Sequence, residues 1–505
     1  MLLRSGIVIA FFTMLSRLFG LARELFIAAT FGTSGIADSV NVAFKLPNLF
    51  RRIFGEGALS AVFIPMFNEK LITSKDEALK FSGEVFALLL LILTVLTIIL
   101  QISMPYMMLI IAPGFFNDPE KYELTTTLCQ ITIPYLIFVS ITALFGGMLN
   151  SVKKFAAFAF VPIIMSICVI GITYVFQEKH SPHFSVAYAL VIAGIFQVAF
   201  MYVCLKRAGL TFPFLFHPKD REVKKLLKNM GPATLGSGAQ QLNLFLSQSI
   251  ASFLPGAVSI LSYAERLYQL PLSLIGITFG TLLLPELSRI YKQKDFAKAN
   301  TLQNNSIKIA LAISIPAMFG LFVLSAPIIH IIYEHGAFTP ADTALTANAL
   351  AAFSLGLPAF VVAKIITPIF YANLDTKTPL RITVYSLLLN TILNVILMIP
   401  FGHIGIAIGS SIASWFNVWM LARHSGKYGG FKIHPDIKLF SAKIVLSSSC
   451  MLASIVTFNY YYGYLFYSKS FLIKASALTG VVVLGVFVFV LSSYFLKIHT
   501  KLLER

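Results

Sequence analysis

The chain has 505 residues, of which 57% are hydrophobic and only 12% are charged, and its mean hydropathy is +0.82. A soluble domain carries about 25% charged residues, so this composition excludes an ordinary soluble enzyme and predicts an all-α polytopic membrane protein. Lys and Arg outnumber Asp and Glu by 39 to 21. Because these basic residues lie in short loops between apolar segments, nucleic acid is not an expected partner.

The apolar segments predict about fourteen transmembrane helices, since about 20 apolar residues cross a bilayer. In chain order they cover residues 4–31, 38–71, 78–112, 121–151, 154–177, 183–207, 231–253, 257–291, 299–333, 341–373, 379–400, 403–424, 437–462 and 470–497. One set of alternating loops carries most of the basic residues, and the other set offers only Lys121, Lys179 and Lys469. Both termini are therefore expected on the cytoplasmic side.

The two halves of the chain are predicted to be parallel internal repeats. Pro65, Pro105, Pro134 and Asn150 recur as Pro285, Pro327, Pro358 and Asn373, at offsets of 220 to 224 residues. The offset covers six helices, an even number, so both copies run the same way through the membrane. We predict an N-lobe at 1–217 (helices one to six), an amphipathic cytoplasmic linker at 218–230, a C-lobe at 231–430 (helices seven to twelve) and two further helices at 431–505.

A polar stripe runs along the predicted second helix, in the stretch DSVNVAFKLPNLFRRIFGE at 38–56. Its members recur every three or four residues: Asp38, Asn41, Lys45, Asn48, Arg52 and Glu56. At 100° per residue they fall within roughly 80° of one helix face. A charge that faces lipid at the bilayer centre costs about 2.5–3.5 kcal/mol. The stripe is therefore predicted to line a polar cavity or to face a partner helix.

Other ionisable residues lie within the apolar segments as well. With the stripe, the cations are Arg17, Arg23, Lys45, Arg51, Arg52, Arg266 and Lys364, and the anions are Glu24, Asp38, Glu56 and Glu265. Because cations are in excess, and because Arg forks match phosphate oxygens bidentately, we predict a cavity for a phosphate-bearing substrate. Gln269, one turn after Arg266 in a second polar stripe, would also line this cavity. Structural ion pairs are the alternative, especially for Arg51, which points off the stripe, and for Lys364, which could snorkel.

Two pairs of polar residues lie outside this set. Asn390 and Asn394, at i and i+4 on the eleventh helix, could bind a cation, but an interhelical hydrogen bond is the more common arrangement. His330 and His335, near the outer end of the ninth helix, are interpreted as vestibule residues, since we recognise no carboxylate or cysteine at metal-ligand spacing. The four cysteines lie singly in apolar stretches, so neither a disulfide framework nor a metal site is expected.

The residues alone favour a transporter with an anion-selective central cavity. The chain carries no G-x-x-x-x-G-K-[ST] loop and no Ser/His/Asp set, so an enzyme is not predicted. One alternative is an exporter of another polyprenyl-diphosphate glycan or of an amphiphile. Another is a membrane glycosyltransferase with Asp38 as its catalytic acid, although the outer loops are too short to hold an acceptor.

Four segments resemble one known family: SRLFGLARE (16–24), ADSVNVAFKLPNLFRRIFGEGALSAVFIPMF (37–67), YAERLYQLPLSLIGITFGTLLLPELS (263–288) and FYANLDTKTP (370–379). They resemble the MurJ/MviN lipid II flippases of the multidrug/oligosaccharidyl-lipid/polysaccharide exporter superfamily. The resemblance implies that lipid II, the undecaprenyl-diphosphate-linked peptidoglycan precursor, moves from the inner to the outer leaflet of a bacterial inner membrane. It also implies alternating access of two lobes around a cationic cavity, with a lipid-tail groove between helices thirteen and fourteen.

The resemblance assigns roles to individual positions. The family's functional arginines fall on Arg17, Arg23, Arg52 and Arg266, with Arg51 as a neighbour, and its functional acids fall on Asp38 and Glu56. Some members bind sodium through an aspartate among helices seven, eleven and twelve, where this chain offers only Asn390 and Asn394. We expect no cofactor, coupling to sodium or to the membrane potential, lipid II and membrane lipids as partners, and a monomer.

Overall fold

The computed structural model describes residues 2–52, 59–176, 181–216, 221–428 and 434–498, with the backbone alone at 2–10, 60–61, 221, 223, 231–237, 239–240 and 273–282. Over these ranges the chain forms seventeen α-helices and two 3-10 helices, and no β-strand. The prediction of an all-α protein is confirmed. Nine segments of the described chain are long and apolar enough to cross a membrane. The total of fourteen transmembrane helices stays a prediction.

The helices have the following bounds. The first nine are α1 (Leu2–Phe31), α2 (Gly35–Phe50), α3 (Ser60–Thr73), α4 (Lys75–Ile111), α5 (Pro119–Thr132), α6 (Tyr135–Ser151), α7 (Ala156–Phe176), α8 (Pro182–Arg207) and α9 (Arg221–Ala251). The others are α10 (Ala257–Lys292), α11 (Phe296–Val323), α12 (Ser325–Tyr333), α13 (Pro340–Ser354), α14 (Leu357–Ala372), α15 (Lys377–Ser425), α16 (Asp436–Tyr462) and α17 (Phe471–Phe495). The 3-10 helices are Pro113–Asn117 and Gly463–Tyr467.

Short polar side chains begin several of these helices, because they bond to backbone N–H groups that the first turn leaves without partners. Each accepts the N–H of the residue three positions further on: Ser34, Ser74, Asp118, Asp295 and Thr339. At Thr339 the carboxylate of Asp342 also accepts the Thr339 N–H, which completes a capping box. These polar residues in a hydrophobic chain therefore mark where helices start.

Three of the long helices expected from hydropathy are interrupted. The span 121–151 divides into α5 and α6 at Pro134, which has no N–H to continue the helix. The span 341–373 divides into α13 and α14, and Pro358 lies in the first turn of α14. The span 299–333 divides into α11 and α12 at Leu324. Within α15 the backbone turns at Gly402, where φ is +56°, a value that glycine adopts readily.

The helix boundaries repeat along the chain. The starts of α2 and α10 are 222 residues apart. The capping residues Ser74 and Asp295 are 221 residues apart, as are Asp118 and Thr339. The interruption between α5 and α6 recurs between α13 and α14. The internal repeat predicted from the spacing of prolines is confirmed by these boundaries.

The chain separates into two compact units, Met1–Val258 and Ser259–Arg505. In the core of the first unit, Phe63 of α3 stacks on Phe81 of α4, with ring centroids 5.8 Å apart. The helix α9 packs on α3 and α4, and its first turns include residues 221–230 of the predicted linker. The lobe boundaries predicted from the sequence stay predictions.

The second unit has its own apolar contacts. Tyr263 of α10 packs on Tyr333 of α12, with ring centroids 5.2 Å apart. A separate cluster that includes Ile331, Ile455 and Val481 joins α12, α16 and α17. The C-terminal pair of helices is therefore attached to the second unit through buried aliphatic side chains.

Candidate functional site

Asp38, the first residue of the polar stripe, lies in the interior of the first unit, with 0% of its surface exposed. Its Oδ2 accepts a hydrogen bond from Nζ of Lys121 at 2.8 Å and another from the backbone N–H of Gly256 at 3.0 Å. Lys121 lies in the first turn of α5, and Gly256 lies in the turn between α9 and α10. One carboxylate therefore joins α2 to two other segments of the unit.

Lys121 is a residue that sequence reasoning missed. From the sequence it is only one of three basic residues on the predicted outer side, 83 positions from Asp38. Its side chain is nonetheless 10% exposed, and its ammonium group lies 3.9 Å from the centroid of the Phe115 ring. One signal could have found it. Cations are rare on that side, and a lysine at a helix start is the natural partner for an acid at the outer edge of α2.

The two asparagines of the stripe bond within α2. Asn41 donates from Nδ2 to the Ala37 carbonyl at 2.9 Å, and Asn48 donates to the Phe44 carbonyl at 3.0 Å. Oδ1 of Asn48, which takes no part in that bond, accepts a hydrogen bond from Nε of Arg51 at 3.1 Å. Arg51 was expected to point off the stripe, but i and i+3 are neighbours on a helix surface, and the structure brings its guanidinium group to the stripe.

The stripe continues towards the C-terminal end of α2. Lys45 is half-buried, whereas Arg52 is exposed. Nη1 of Arg52 lies 3.4 Å from Oε1 of Gln241 on α9. Glu56, the last predicted member, lies outside the described residues.

Arg23 of α1 is a buried guanidinium group, 8% exposed. Its Nη2 lies 3.7 Å from Oε1 of the adjacent Glu24, and its Cζ lies 5.7 Å from the centroid of the Phe44 ring on α2. Within the described part of the chain, Nε and Nη1 have no hydrogen-bond acceptor. Arg17, two turns earlier on α1, is exposed. The first unit therefore presents a desolvated, incompletely satisfied cation between α1 and α2.

The predicted residues of the second unit lie on α10 and α14. Glu265, Arg266 and Gln269 are half-buried on α10, and Nε2 of Gln269 donates to Oε1 of Glu265 at 2.8 Å. Lys364 on α14 is exposed. Beyond Gln269 the second stripe would continue into 273–282, where only the backbone is described. The site roles of these residues stay predictions.

Asn390 and Asn394 lie on the first arm of α15, and both are buried. The second arm comes close to them, since a Cβ built on Gly409 would lie 2.5 Å from Oδ1 of Asn394. Over the described residues, no group of three or more His, Cys, Asp or Glu side chains could hold a metal ion. Sodium binding by these amides stays an expectation.

The vestibule interpretation does not hold for His330. Its imidazole is buried, and Nδ1 lies 2.7 Å from Oε2 of Glu334, an acid one helical turn away that sequence reasoning overlooked. His335 is exposed, and its Nε2 lies 3.2 Å from the carbonyl of Ile331, a residue of α12.

The segment FYANLDTKTP forms the turn between α14 and α15. Asp375 accepts the N–H of Thr378 at 2.9 Å, and its Oδ2 accepts the hydroxyl of Tyr428. Partial burial alone would raise the pKa of Asp375, but the hydrogen bonds from Thr378 and Tyr428 outweigh it and lower the pKa to about 2. The same hydrogen bond raises the pKa of Tyr428 to about 12. This turn ties the start of α15 to the segment after its end.

The fold is one that other solved proteins share. An inward-facing multidrug resistance MATE family transporter of the MOP superfamily has the same fold, with a TM-score of 0.67 over 88% of this chain and 98% of that chain, at 15% identity. At that identity the likeness concerns the fold alone.

The chain belongs to the lipid II flippase MurJ family, which residues 27–496 match. The protein named "Probable lipid II flippase MurJ" of Rickettsia prowazekii (strain Madrid E) is 57% identical over 98% of each chain. That of Rhizobium tropici is 37% identical over 96% of this chain and 92% of its own. A solved structure, "Lipid II flippase MurJ, inward closed conformation", has 29% identity and a TM-score of 0.81 over 97% of this chain and 99% of its own. The resemblance of the four sequence segments is confirmed.

Proposed function

We propose that the protein flips the undecaprenyl-diphosphate-linked peptidoglycan precursor, lipid II, from the inner to the outer leaflet of the bacterial inner membrane. One observation carries the proposal: Arg23 is 8% exposed, and its Nε and Nη1 have no acceptor within the described residues. The identity of the substrate is inferred from family membership, because the relatives bear the name lipid II flippase.

The chemistry of Arg23 suits a diphosphate. A buried charge is unfavourable unless it is paired and hydrogen-bonded, so a guanidinium group with two unused nitrogens favours binding of an anion. Its planar fork donates two parallel N–H bonds to the oxygens of one phosphate group. Arg51 and Arg52, at the C-terminal end of α2, place two more cations in the same unit. A diphosphate has enough anionic oxygens to engage more than one of them.

The transport cycle in this proposal is alternating access, with both termini in the cytoplasm and the protein acting as a monomer. Asp38 would hold the turn between α9 and α10 while its bonds to Lys121 and Gly256 persist, and would release that turn when they break. The other residues assigned to substrate are Arg17, Lys45, Asn48, Glu56, Arg266, Gln269 and Lys364. Coupling would come from sodium at Asn390 and Asn394 or from the membrane potential.

The glycosyltransferase alternative is disfavoured by the surroundings of Asp38. A catalytic acid must reach the reacting atoms, but this carboxylate is fully buried and its Oδ2 already accepts two hydrogen bonds. An exporter of another amphiphile is disfavoured by the family to which the chain belongs.

The proposal is tested in a strain depleted of its own lipid II flippase. The unmodified protein should restore growth, and Arg23→Ala should not, at equal protein level. Arg23→Lys should restore growth in part, because it keeps the charge but loses the fork. Arg207→Ala, at the exposed end of α8, is the matched control and should restore growth fully.

The same variants are then assayed in vesicles for lipid II exposed on the outer face. If the unmodified protein neither supports growth nor moves lipid II, the proposed function is wrong. If Arg23→Ala is fully active in both assays, Arg23 is not part of the substrate site.

A further inference from the structure

A second buried polar cluster lies in the second unit, apart from the stripe and the arginines. At its centre is His330 of α12, which is 7% exposed. Its Nδ1 lies 2.7 Å from Oε2 of Glu334, and its Nε2 lies 3.0 Å from Nζ of Lys474 on α17. Thr343 of α13 donates its hydroxyl to Oε2 of Glu334 at 2.6 Å, and the ring of Tyr467 packs 4.8 Å from the imidazole. Side chains from four elements therefore form one cluster around His330 and Glu334.

The two contacts of the imidazole define its protonation. An ammonium group can only donate hydrogen bonds, so Lys474 donates to Nε2, and Nε2 carries no proton. The ring proton is then on Nδ1, from which it is donated to the carboxylate of Glu334. A cation, a neutral ring and an anion thus form one chain of hydrogen bonds that reaches from α17 to α12.

A further proton on Nε2 breaks this chain. His330 and Lys474 would then both be cations and both be donors, with their nitrogen atoms 3.0 Å apart. Two like charges at that distance repel, and no lone pair remains on the ring to accept the bond. The hydrogen bond between His330 and Glu334 would remain, because a cationic imidazole still donates from Nδ1. Protonation therefore weakens only the link to α17.

Other groups lie near His330 or on the elements that pack against α12. Tyr467, of the 3-10 helix Gly463–Tyr467, contributes a ring contact. Asp342 of α13 caps its own helix at Thr339. The helix α11, which also packs on α12, has no ionisable residue after Lys308. The helix α10 packs on α12 through Tyr263 and Tyr333, and it carries Glu265 and Arg266, of which Arg266 acts electrostatically on Tyr333. Glu334 and Lys474 are the charged groups that lie within hydrogen-bond distance of the imidazole.

We propose that His330, Glu334 and Lys474 form a proton-sensitive latch that holds α17 against α12. The latch is closed while His330 is neutral and opens when it gains a proton. Histidine as a residue type ordinarily changes charge between about pH 5 and 8, so the test below compares the protein at those two pH values. The aliphatic cluster that contains Ile331 and Val481 keeps the two helices in contact. Opening therefore shifts the start of α17 rather than releasing the helix.

The test measures the distance between α13 and α17 in the full-length protein in lipid nanodiscs. Spin labels are placed at Leu345 and Leu472, both exposed, after the four native cysteines are replaced by serine or alanine. Double electron–electron resonance should give one short distance at pH 8. At pH 5 a longer distance should appear at the expense of the short one, and the change should reverse on return to pH 8.

Three variants decide whether the latch is responsible. His330→Gln cannot gain the proton and should give the same distribution at both pH values. Lys474→Met removes the donor and should give the longer distance at both. His335→Gln is the matched control, since the imidazole of His335 is exposed and contacts the Ile331 carbonyl, and it should keep the full response. The proposal is overturned if the unmodified protein does not respond to pH, if His330→Gln responds like it, or if Lys474→Met keeps the short distance.

Discussion

Asp38 and Arg23 are two buried charges of the first unit, and their surroundings satisfy them to very different degrees. The Asp38 carboxylate accepts an ammonium group and a backbone N–H, both within 3.0 Å. The Arg23 guanidinium group has a carboxylate oxygen of Glu24 at 3.7 Å, and two of its nitrogens have no acceptor in the described part of the chain. The helices that carry them, α2 and α1, are consecutive.

The difference separates a charge that stabilises the fold from one that is ready for a ligand. Removing one partner of a buried ion pair costs about 3–5 kcal/mol, so Asp38 and Lys121 strongly favour the arrangement that joins α2 to α5. A buried donor without an acceptor costs about 1–3 kcal/mol, so Arg23 lowers the stability of the protein until an anion binds. A cost of this kind is expected at functional sites.

The largest expected effect is the loss of the lysine partner. Lys121→Met should lower the free energy of unfolding by about 3–5 kcal/mol, because it removes the ammonium partner of a fully buried carboxylate. The measurement is thermal unfolding of the purified protein in detergent. Lys469→Met, at an exposed lysine, is the control and should change the melting temperature little. If both variants melt alike, Asp38 is not held by this pair.

Replacing Arg23 should raise the stability of the protein rather than lower it. Arg23→Met removes two N–H groups that lack acceptors while it keeps an unbranched chain in the same space. We expect the free energy of unfolding to rise by about 1–3 kcal/mol, while complementation is lost. Destabilisation of the size expected for Lys121→Met would show that Arg23 is a structural charge, and the contrast with Asp38 would disappear.

A carboxylate outside the membrane-spanning segments sharpens the comparison. Asp375 has a hydroxyl donor, Tyr428, but is partly solvated, so removing that donor should cost less than removing Lys121. Tyr428→Phe should lower the stability at pH 7 by no more than about 1 kcal/mol. Tyr464→Phe, at an exposed tyrosine, is the control.

The effect of Tyr428→Phe should also depend on pH. The pKa of Asp375 is lowered from 3.8 to about 2, so its stabilisation is present above about pH 4 and is lost as the pH falls towards 2. The difference in melting temperature between the unmodified protein and Tyr428→Phe should therefore shrink over that range. A constant difference would mean that the hydroxyl acts through packing.

The contrast between Asp38 and Arg23 could be predicted from the sequence only in part. The length and hydropathy of the segments predict the helices, and the spacing of prolines predicts the repeat, because both depend on local chain properties. The stripe likewise depends on helical periodicity, so Asp38 and Arg52 were found. The partner of Asp38 was not, because Lys121 is 83 positions away and only the packing of α2 on α5 brings them together.

The same limit explains the cluster around His330. Its link to Lys474 spans 144 positions and depends on how α17 packs on α12. Glu334 was within reach of sequence reasoning, since i and i+4 share a helix face. The interruption at Pro134 was not predicted, since 121–151 was expected as one helix and hydropathy does not distinguish one helix from two consecutive ones.

The smallest effect on stability is expected around Arg52, which, unlike Arg23, is exposed. Arg52 lies at the C-terminal end of α2, and its Nη1 is 3.4 Å from Oε1 of Gln241, a long contact in a solvated place. Gln241→Ala should change the free energy of unfolding by less than about 0.5 kcal/mol and should complement normally. Arg52→Ala should be equally stable but should not complement, since the diphosphate would lose a cation. Thermal unfolding and growth of the depleted strain measure the two quantities. If Gln241→Ala also fails to complement, Arg52 acts by holding α9. In that case Arg52 does not bind the diphosphate as Arg23 is proposed to do.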